Sequence, residues 1–238
     1  MTEKAFSHYN FTNGFIEDLD PQFPSYLSAW DRGMLSLSPG DTHFGYVHEG
    51  AVNIVHDGYT FTVYEGQYFV VPGRATVNGW FGRGIVVSRR GYNGLFMIGG
   101  RIEHEGRLKY IDGCTDSLLS PPVKMGDPCL NLLYFPPGID QTAHTHPSDR
   151  IGMILSGRGL CHAWNNGVEE KIELKAGMIF CIHAEGRHKF STPYGDDMRV
   201  LAYHPDSDFG PTDQVHPMIN RTIVDGVSAS LIPDIQTR

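Results

Sequence analysis

The same glycine-framed pattern occurs twice in this chain, once in each half. The first copy reads GAVNIVHDGYTFTVYEGQYFVV and the second reads GLCHAWNNGVEEKIELKAGMIFCI. In both copies a dipeptide that tolerates the positive φ angles of tight hairpin turns, Asp57-Gly58 or Asn166-Gly167, separates two β-rich runs. The repeat predicts a β-hairpin at the same place in two related units.

The rest of the chain also favours strands over helices. Short β-rich runs such as QYFVV, NLLYF, GMILS and RVLAYH alternate with turns, and the 28 Gly and 15 Pro are spread along the sequence. This pattern predicts an all-β protein with two tandem β domains, of the sandwich, barrel or jelly-roll type. We expect a first domain over 1–116, a linker over 117–128, a second domain over 129–204 and a packed tail over 205–238.

Charge and composition exclude several classes of partner. The formal net charge is −8, which disfavours nucleic acid and anionic membrane surfaces because phosphate binding relies on clustered Lys and Arg. The N-terminus lacks a basic region followed by an apolar run, and no window has the roughly 18 apolar residues of a membrane helix. We therefore expect a cytoplasmic protein that acts on a small molecule. Exposed edge strands leave a homodimer open.

The cysteines do not have the spacing of a metal or redox motif. The four are Cys114, Cys129, Cys161 and Cys181, and no two are arranged as C-x-x-C. We expect reduced thiols that are buried as small apolar side chains.

The stretch HTHPSDRIGMILSG, residues 144–157, contains the strongest chemical signal. His144 and His146 are two positions apart, so both imidazoles lie on one side of an extended strand and suit a metal site. Arg150 has the same parity. A guanidinium about 5 Å from a divalent cation, at an effective dielectric near 20, is repelled by roughly 6 to 7 kcal/mol, so an anion must offset it.

Two segments in the second half resemble the motifs of the cupin superfamily. The first motif is matched in spacing by Gly138, His144, His146, Arg150 and Gly157, and the second by Gly177, His183, Glu185, His188 and Thr192. Arg150 stands where the family has Glu, and His183, Glu185 and Thr192 stand where it has Pro, Gly and Asn. The resemblance implies two tandem jelly-roll β-barrels, a bicupin, with a metal site in the second.

By the same resemblance, the metal ligands are His144, His146 and His188. Three imidazoles can cap one face of a divalent ion and leave positions open for substrate or water. Fe(II) is our first expectation, with Zn, Ni or Mn as alternatives. Arg150 either binds the carboxylate of a substrate, pairs with Asp149 or Glu185 inside the protein, or turns outward.

Further candidates depend on the strand register. Tyr134, Tyr203 and Trp164 are proposed to line the barrel and bind substrate, with His204 and His162 as the alternatives on the same strands. Glu185 is proposed as a catalytic acid or base, or as a residue that orients His188. The tail carboxylates, Asp206, Asp208 and Asp213, are expected to be solvated turn residues.

The first half departs from the cupin motifs. Its His-x-His segment is missing, and Val77 takes the place of His188. His43, His48 and His56 do not match ligand positions, so we interpret them as structural or surface residues. We expect a degenerate, metal-free cupin domain.

Three functions fit these residues. The first is an Fe(II)-dependent dioxygenase that acts on a small, carboxylate-bearing metabolite. The second is a non-redox metal-dependent isomerase, lyase, cyclase or hydrolase, in which the metal is a Lewis acid and Glu185, His183 or a tyrosine moves protons. The third is a binding or sensing module without turnover.

Overall fold

The protein is all-β, as the sequence predicts, and the computed structural model describes residues 4–237. Within these residues, an eight-stranded sheet is formed by strands from the first half, numbered along the chain: Gly14–Leu19 (β2), Ser25–Asp31 (β3), Met34–Leu37 (β4), Asp41–His56 (β5), Tyr59–Tyr64 (β6), Gln67–Pro72 (β7), Ala75–Arg90 (β8) and Met97–Gly100 (β9). A nine-stranded sheet is formed by Phe6–Tyr9 (β1), Leu108–Lys109 (β10), Thr115–Ser120 (β11), Cys129–Phe135 (β12), Arg150–Asn165 (β13), Val168–Lys175 (β14), Ile179–Ile182 (β15), His188–Ser191 (β16) and Met198–His204 (β17).

The tail beyond β17 has little regular structure. It contains helix α1 (Pro217–Arg221), a small hairpin of Ile223–Val224 (β18) and Val227–Ser228 (β19), and two 3-10 turns at Ala229–Leu231 and Pro233–Ile235. No residue of α1 is buried, so the packing predicted for the tail does not extend to this helix. No helix within residues 4–237 is long and apolar enough to cross a membrane.

The two predicted hairpins form at the predicted dipeptides. β5 pairs with β6 around Asp57 and Gly58, whose φ angles are 50° and 80°. β13 pairs with β14 around Asn166 and Gly167, with φ angles of 51° and 78°. Positive φ at both turn residues matches the right-handed twist of the flanking strands.

The two longest strands of the hairpins each bend at a glycine. β5 and β13 both have 16 residues. Gly50 in β5 and Gly157 in β13 have φ angles of 72° and 76°, and an added Cβ would lie 2.0 Å and 1.9 Å from the carbonyl oxygens of Phe81 and Asp197. Near each glycine the pairing register shifts, as in a β-bulge, so one strand serves two differently oriented parts of a barrel.

The sheets do not divide the chain where the sequence suggests. β1, which lies in the segment predicted as the first domain, pairs with β15 of the second sheet. β11 pairs with β12, so the linker predicted at 117–128 begins inside a strand. Leu118 pairs with Asn131 and Ser120 pairs with Leu130, so the backbone of this stretch is bound to β12 rather than left to solvent.

Apolar side chains fill three regions. One cluster joins the two sheets and includes Leu27, Phe44 and Ile85 from the first half and Leu130, Ile151 and Tyr203 from the second. A second cluster lies inside the first barrel and includes Trp30, Phe69 and Val77. The third lies inside the second barrel and includes Phe6, Phe180 and Phe190. The position equivalent to His188 is therefore part of an apolar core in the first half.

All four cysteines are buried and free, which confirms the expectation of reduced thiols. Burial raises the pKa of the Cys114 thiol to about 11 and that of Cys129 to about 12. Since the thiolate is the reactive species, we expect a chromogenic disulfide reagent at pH 8 to label none of the four in the native protein and all of them after denaturation. Rapid labelling of the native protein would contradict this burial.

Candidate metal and substrate site

The second barrel encloses a cavity of ≈ 210 Å³ whose wall is mostly apolar. Leu133, Phe135, Phe180, Ile182, Phe190 and Val200 provide much of that wall. The polar side chains that line it are His144, His146, His188, His204, Arg150, Lys109, Tyr110, Asp116, Asn131 and Gln141. A largely apolar cavity with a few polar groups is the usual form of a small-molecule site.

The three predicted ligand histidines come together in this cavity. His144 and His188 form an antiparallel bridge, with N–H···O distances of 2.9 and 3.0 Å between their backbones. The ring centroids of the three histidines are 4.6 to 5.1 Å apart. One ligand nitrogen from each ring lies within 4.8 Å of the others, close enough to hold one metal ion.

Hydrogen bonds fix the orientation of two of these rings. Nδ1 of His144 lies 2.8 Å from the Thr142 carbonyl oxygen, and Nδ1 of His188 lies 2.9 Å from that of Gly186. A carbonyl oxygen only accepts, so each Nδ1 carries the proton and donates. Each Nε2 is then left with a free lone pair for a metal, an arrangement typical of ligating histidines.

Two of the three rings, those of His146 and His188, are also held in the neutral form that a metal requires. Burial, followed by the nearby Arg150 guanidinium, lowers the pKa of His146 to about 2. Burial also lowers the pKa of His188 to about 4. The donor set therefore fits a divalent transition metal, and its chemistry alone does not choose between Fe, Zn, Ni and Mn.

Arg150 points into the same cavity, and its side chain is 11% exposed. Nη1 donates to Ser148 Oγ at 2.6 Å and to the carbonyl oxygens of Ser148 and Asp149 at 3.1 Å. Nε is buried with no hydrogen-bond acceptor among the described residues. One edge of the guanidinium is thus anchored by the protein, while Nε, on the other edge, is not satisfied.

The anion nearest to Arg150 is not the one the sequence suggests. Asp206 lies 3.8 Å from Arg150 Nη1 and accepts a hydrogen bond from Ser148 Oγ. Asp149 instead accepts from the backbone N–H groups of Asp20 and Ala184. The expectation that Asp206 is a solvated turn residue was wrong, because the chain after β17 folds back over the start of β13.

Glu185 does not lie in the cavity. Its side chain is exposed and its carboxylate accepts a hydrogen bond from Thr145 Oγ1 at 3.3 Å. Its φ of 57° and its backbone N–H bond to the His146 carbonyl oxygen show a turn residue that supports the ligand loops. The catalytic role predicted for the Glu185 carboxylate is therefore not supported by its position.

Two predicted substrate-binding tyrosines lie on the wrong face of their strands. Asn131, Leu133 and Phe135 of β12 line the cavity, so Tyr134 points away from it, toward His104. On β17 the cavity is lined by Val200, Ala202 and His204. Tyr203 faces the other half of the protein, where it packs on Phe44 with ring centroids 5.1 Å apart. Of the alternatives on β17, His204 is the one that lines the site.

Trp164 is also directed outward, because β13 changes phase at its bulge. Before Gly157 the even-numbered residues face the barrel interior, as Arg150 does. After it the odd-numbered residues Cys161 and Ala163 do. Trp164 lies under the Arg187 guanidinium instead, and His162 hydrogen-bonds to Glu169 and Ser191 outside the cavity.

Sequence reasoning missed Asp116 and Asn131 in the cavity wall. Asn131 Nδ2 donates to both carboxylate oxygens of Asp116, at 3.0 and 3.1 Å. Burial raises the pKa of Asp116. The one available signal was a polar residue, Asn131, within the otherwise apolar run CLNLLYF.

A comparison with protein-family models matches one stretch of the second half. The model described as "Cupin domain" matches residues 131–204, which carry the three histidines and most of the residues that line the cavity. This stretch is similar to a cupin domain. A search of curated proteins found no match to this sequence.

Solved structures with the same fold cover most of the chain. A putative glyoxylate induced protein from Pseudomonas aeruginosa aligns with a TM-score of 0.61 at 14% identity, over 89% of this chain and 92% of that one. Protein Ylba from E. coli aligns with a TM-score of 0.55 at 20% identity, over 89% and 95%. Salicylate 1,2-dioxygenase from Pseudoaminobacter salicylatoxidans (G106A mutant) aligns with a TM-score of 0.54 at 11% identity, over 77% and 70%. At these identities the likeness establishes the cupin fold.

Proposed function

We propose that this protein is a metal-dependent cupin enzyme that acts on a small carboxylic acid, with an Fe(II) dioxygenase as the first candidate. The observation that carries the proposal is that the three-histidine cluster and the Arg150 guanidinium share one cavity of ≈ 210 Å³. His144, His146 and His188 would hold the ion. A bound Fe(II) would supply Lewis acidity and the capacity to use O2.

The protein's own groups have distinct roles in this proposal. Arg150 binds the substrate carboxylate through the edge of the guanidinium that the protein leaves unsatisfied. Ser148 and Asp206 hold the opposite edge, so the cation is fixed before substrate arrives. Phe135, Phe180 and the other apolar walls exclude water, which strengthens both the ion pair and the hydrogen bonds inside the cavity.

We further propose that the first half is a second, degenerate cupin domain that carries no metal. Its support is the matching pair of 16-residue strands, each with a positive-φ glycine at a bulge and a two-residue hairpin turn. Val77 and its apolar neighbours occupy the interior of this half, which offers no imidazole in the place of His188. A cytoplasmic location and a homodimer stay predictions.

Oxygen uptake tests this function. Protein purified without oxygen and loaded with Fe(II) should consume O2 when supplied with its substrate from a panel of small hydroxy, keto and aromatic acids, including salicylate and gentisate. Replacing Arg150 with Gln should keep the bound iron and lower kcat/KM by at least about 100-fold, because two charge-assisted hydrogen bonds are lost. Arg158→Gln is the control, since Arg158 is exposed and pairs with Asp196 outside the cavity. Equal kcat/KM values in Arg150→Gln and the unaltered protein would contradict the proposed role.

A second candidate is non-redox Lewis-acid catalysis, which the position of Asp116 favours. Asp116 is a carboxyl group in the wall of the same cavity, where it could accept or donate a proton, and burial raises its pKa. Full turnover without oxygen, sustained by Zn(II), would select this candidate over the dioxygenase. Recovery of a tightly bound ligand unchanged after long incubation with either metal would instead favour a binding module.

A further inference from the structure

Two polar atoms in the cavity wall have no protein partner, and they have opposite hydrogen-bonding character. Arg150 Nε is a donor without an acceptor, and Asn131 Oδ1 is an acceptor without a donor. Asn131 is only 8% exposed, so bulk water does not supply the missing hydrogen bond to its oxygen. Buried polar groups are almost always paired, and an unpaired one in a ligand cavity indicates a group that the ligand satisfies.

Asp116 fixes which way the Asn131 amide points. Both carboxylate oxygens of Asp116 lie within 3.1 Å of Asn131 Nδ2. A carboxylate only accepts hydrogen bonds, so the amide presents its N–H₂ group to Asp116 and leaves Oδ1 free. Together the two side chains form an acceptor surface with the negative charge of Asp116.

The strand order separates this acceptor surface from Arg150. The order β13-β17-β12-β11 places the strand of Asn131 two positions from that of Arg150, and the strand of Asp116 three positions away. With neighbouring strands about 4.8 Å apart, the backbones are roughly 10 and 14 Å apart. Asn131 pairs with Ala202 and Asp116 pairs with Leu133, and all four residues line the cavity. The Arg150 guanidinium and the Asn131–Asp116 acceptor surface are therefore separate groups in the wall of one cavity, which Lys109 of β10 also lines.

We infer that the substrate is a small carboxylic acid that also carries a hydrogen-bond donor, an amine or a hydroxyl, which Asn131 and Asp116 bind. This inference rests on the proposed function, because it takes Arg150 as the site of the carboxylate. The negative charge of Asp116 favours an amine over a hydroxyl. Asn131 and Asp116 then determine specificity among acids, whereas Arg150 binds them all.

Calorimetric titration of the Zn-loaded protein with three matched series of acids tests the inference. The series are straight-chain acids of three to five carbons that end in an amine, a hydroxyl or a methyl group. At one chain length, we expect the amino acid or the hydroxy acid to bind about 10- to 100-fold more tightly than the unsubstituted acid. Equal affinity of the three series would overturn the inference.

Variants test whether Asn131 and Asp116 cause the preference for acids with a hydrogen-bond donor. In Asn131→Leu, the amino acid and the hydroxy acid should bind no more tightly than the unsubstituted acid. The affinity for the unsubstituted acid and the metal content should stay unchanged. Asp116→Asn keeps a polar side chain at this position and should reduce the preference for the amine more than that for the hydroxyl. Asn93→Leu, at an exposed loop position, is the control and should preserve both preferences. A preference that survives in Asn131→Leu would overturn the inference.

The readouts separate this inference from the proposed function. If the unaltered protein binds no unsubstituted acid, or binds no metal, the proposed function is overturned and the inference with it. Normal metal content and normal binding of unsubstituted acids, with no preference for a donor group, would overturn only the role of Asn131 and Asp116.

Discussion

His188→Ala is expected to remove metal from the protein. His188 supplies one of three nitrogens that lie within 4.8 Å of one another, and its Nδ1 bond to Gly186 directs Nε2 toward the other two rings. Removing a partner that merely orients a ligand weakens metal binding by about 10- to 100-fold, so removing the ligand itself should cost more than that. Elemental analysis of protein purified without chelators or oxygen should fall from about one ion per chain to near zero. His144→Ala should behave in the same way.

A matched control comes from another histidine of the same barrel. His162 lies on β13, but its ring hydrogen-bonds to Glu169 and Ser191 and does not line the cavity. His162→Ala should therefore retain the metal content of the unaltered protein. Retention of metal in both His144→Ala and His188→Ala would show that the ion is held elsewhere. A thermal shift on adding metal should likewise disappear in these two variants and persist in His162→Ala, because a ligand that binds only the folded state stabilises it.

Asp149→Ala is expected to cause the largest loss of stability among the variants considered. Asp149 is 5% exposed, and its two carboxylate oxygens accept from the backbone N–H groups of Asp20 at 2.9 Å and Ala184 at 2.8 Å. Alanine would leave the buried N–H of Asp20 without an acceptor, at about 1 to 3 kcal/mol in the free energy of unfolding, and would remove the partly buried bond to Ala184, at about 0.5 to 1.5 kcal/mol more. Urea unfolding measures this as a lower midpoint with a similar slope.

The same contact ties the metal site to the first half of the chain. Ala184 lies in the loop that leads to His188, and Asp20 in turn accepts from the backbone N–H of Asp149 at 3.0 Å. We expect Asp149→Ala to weaken metal binding as well as folding. Asp208→Ala, at an exposed position in the tail, is the control and should stay within about 0.5 kcal/mol of the unaltered protein. An unfolding midpoint in Asp149→Ala equal to that of the control would contradict the role of the buried carboxylate.

The sequence predicted the features that depend on short-range geometry. The two hairpin turns follow from dipeptides that accept positive φ, and each forms where its sequence indicates. His144 and His146 share a side because they are two residues apart, and the motif spacing adds His188, which the bridge to His144 brings into contact. The exchange of β1 into the second sheet has no comparable local signal, because strand pairing across 170 residues depends on how the two halves pack.

Which face of β12, β13 and β17 points into the cavity was decided only by the tertiary structure. β12 and β17 are buried on both sides, so their sequences do not alternate between apolar and polar residues, and nothing local distinguishes Tyr203 from His204. On β13 the bulge near Gly157 reverses the alternation, which carries Trp164 outward although it shares the parity of Arg150.

The surroundings of Arg150 depended on the fold in the same way. The sequence places a cation, Arg150, in phase with the His pair and four residues after it, but its partner, Asp206, is 56 residues away in the chain. Asn131 and Asp116 reach the cavity from strands two and three positions across the sheet. Local spacing thus determined which residues can bind a metal, whereas long-range strand pairing decided which other groups surround that metal. The alternation of side chains along one strand carries no information about which strands lie beside it.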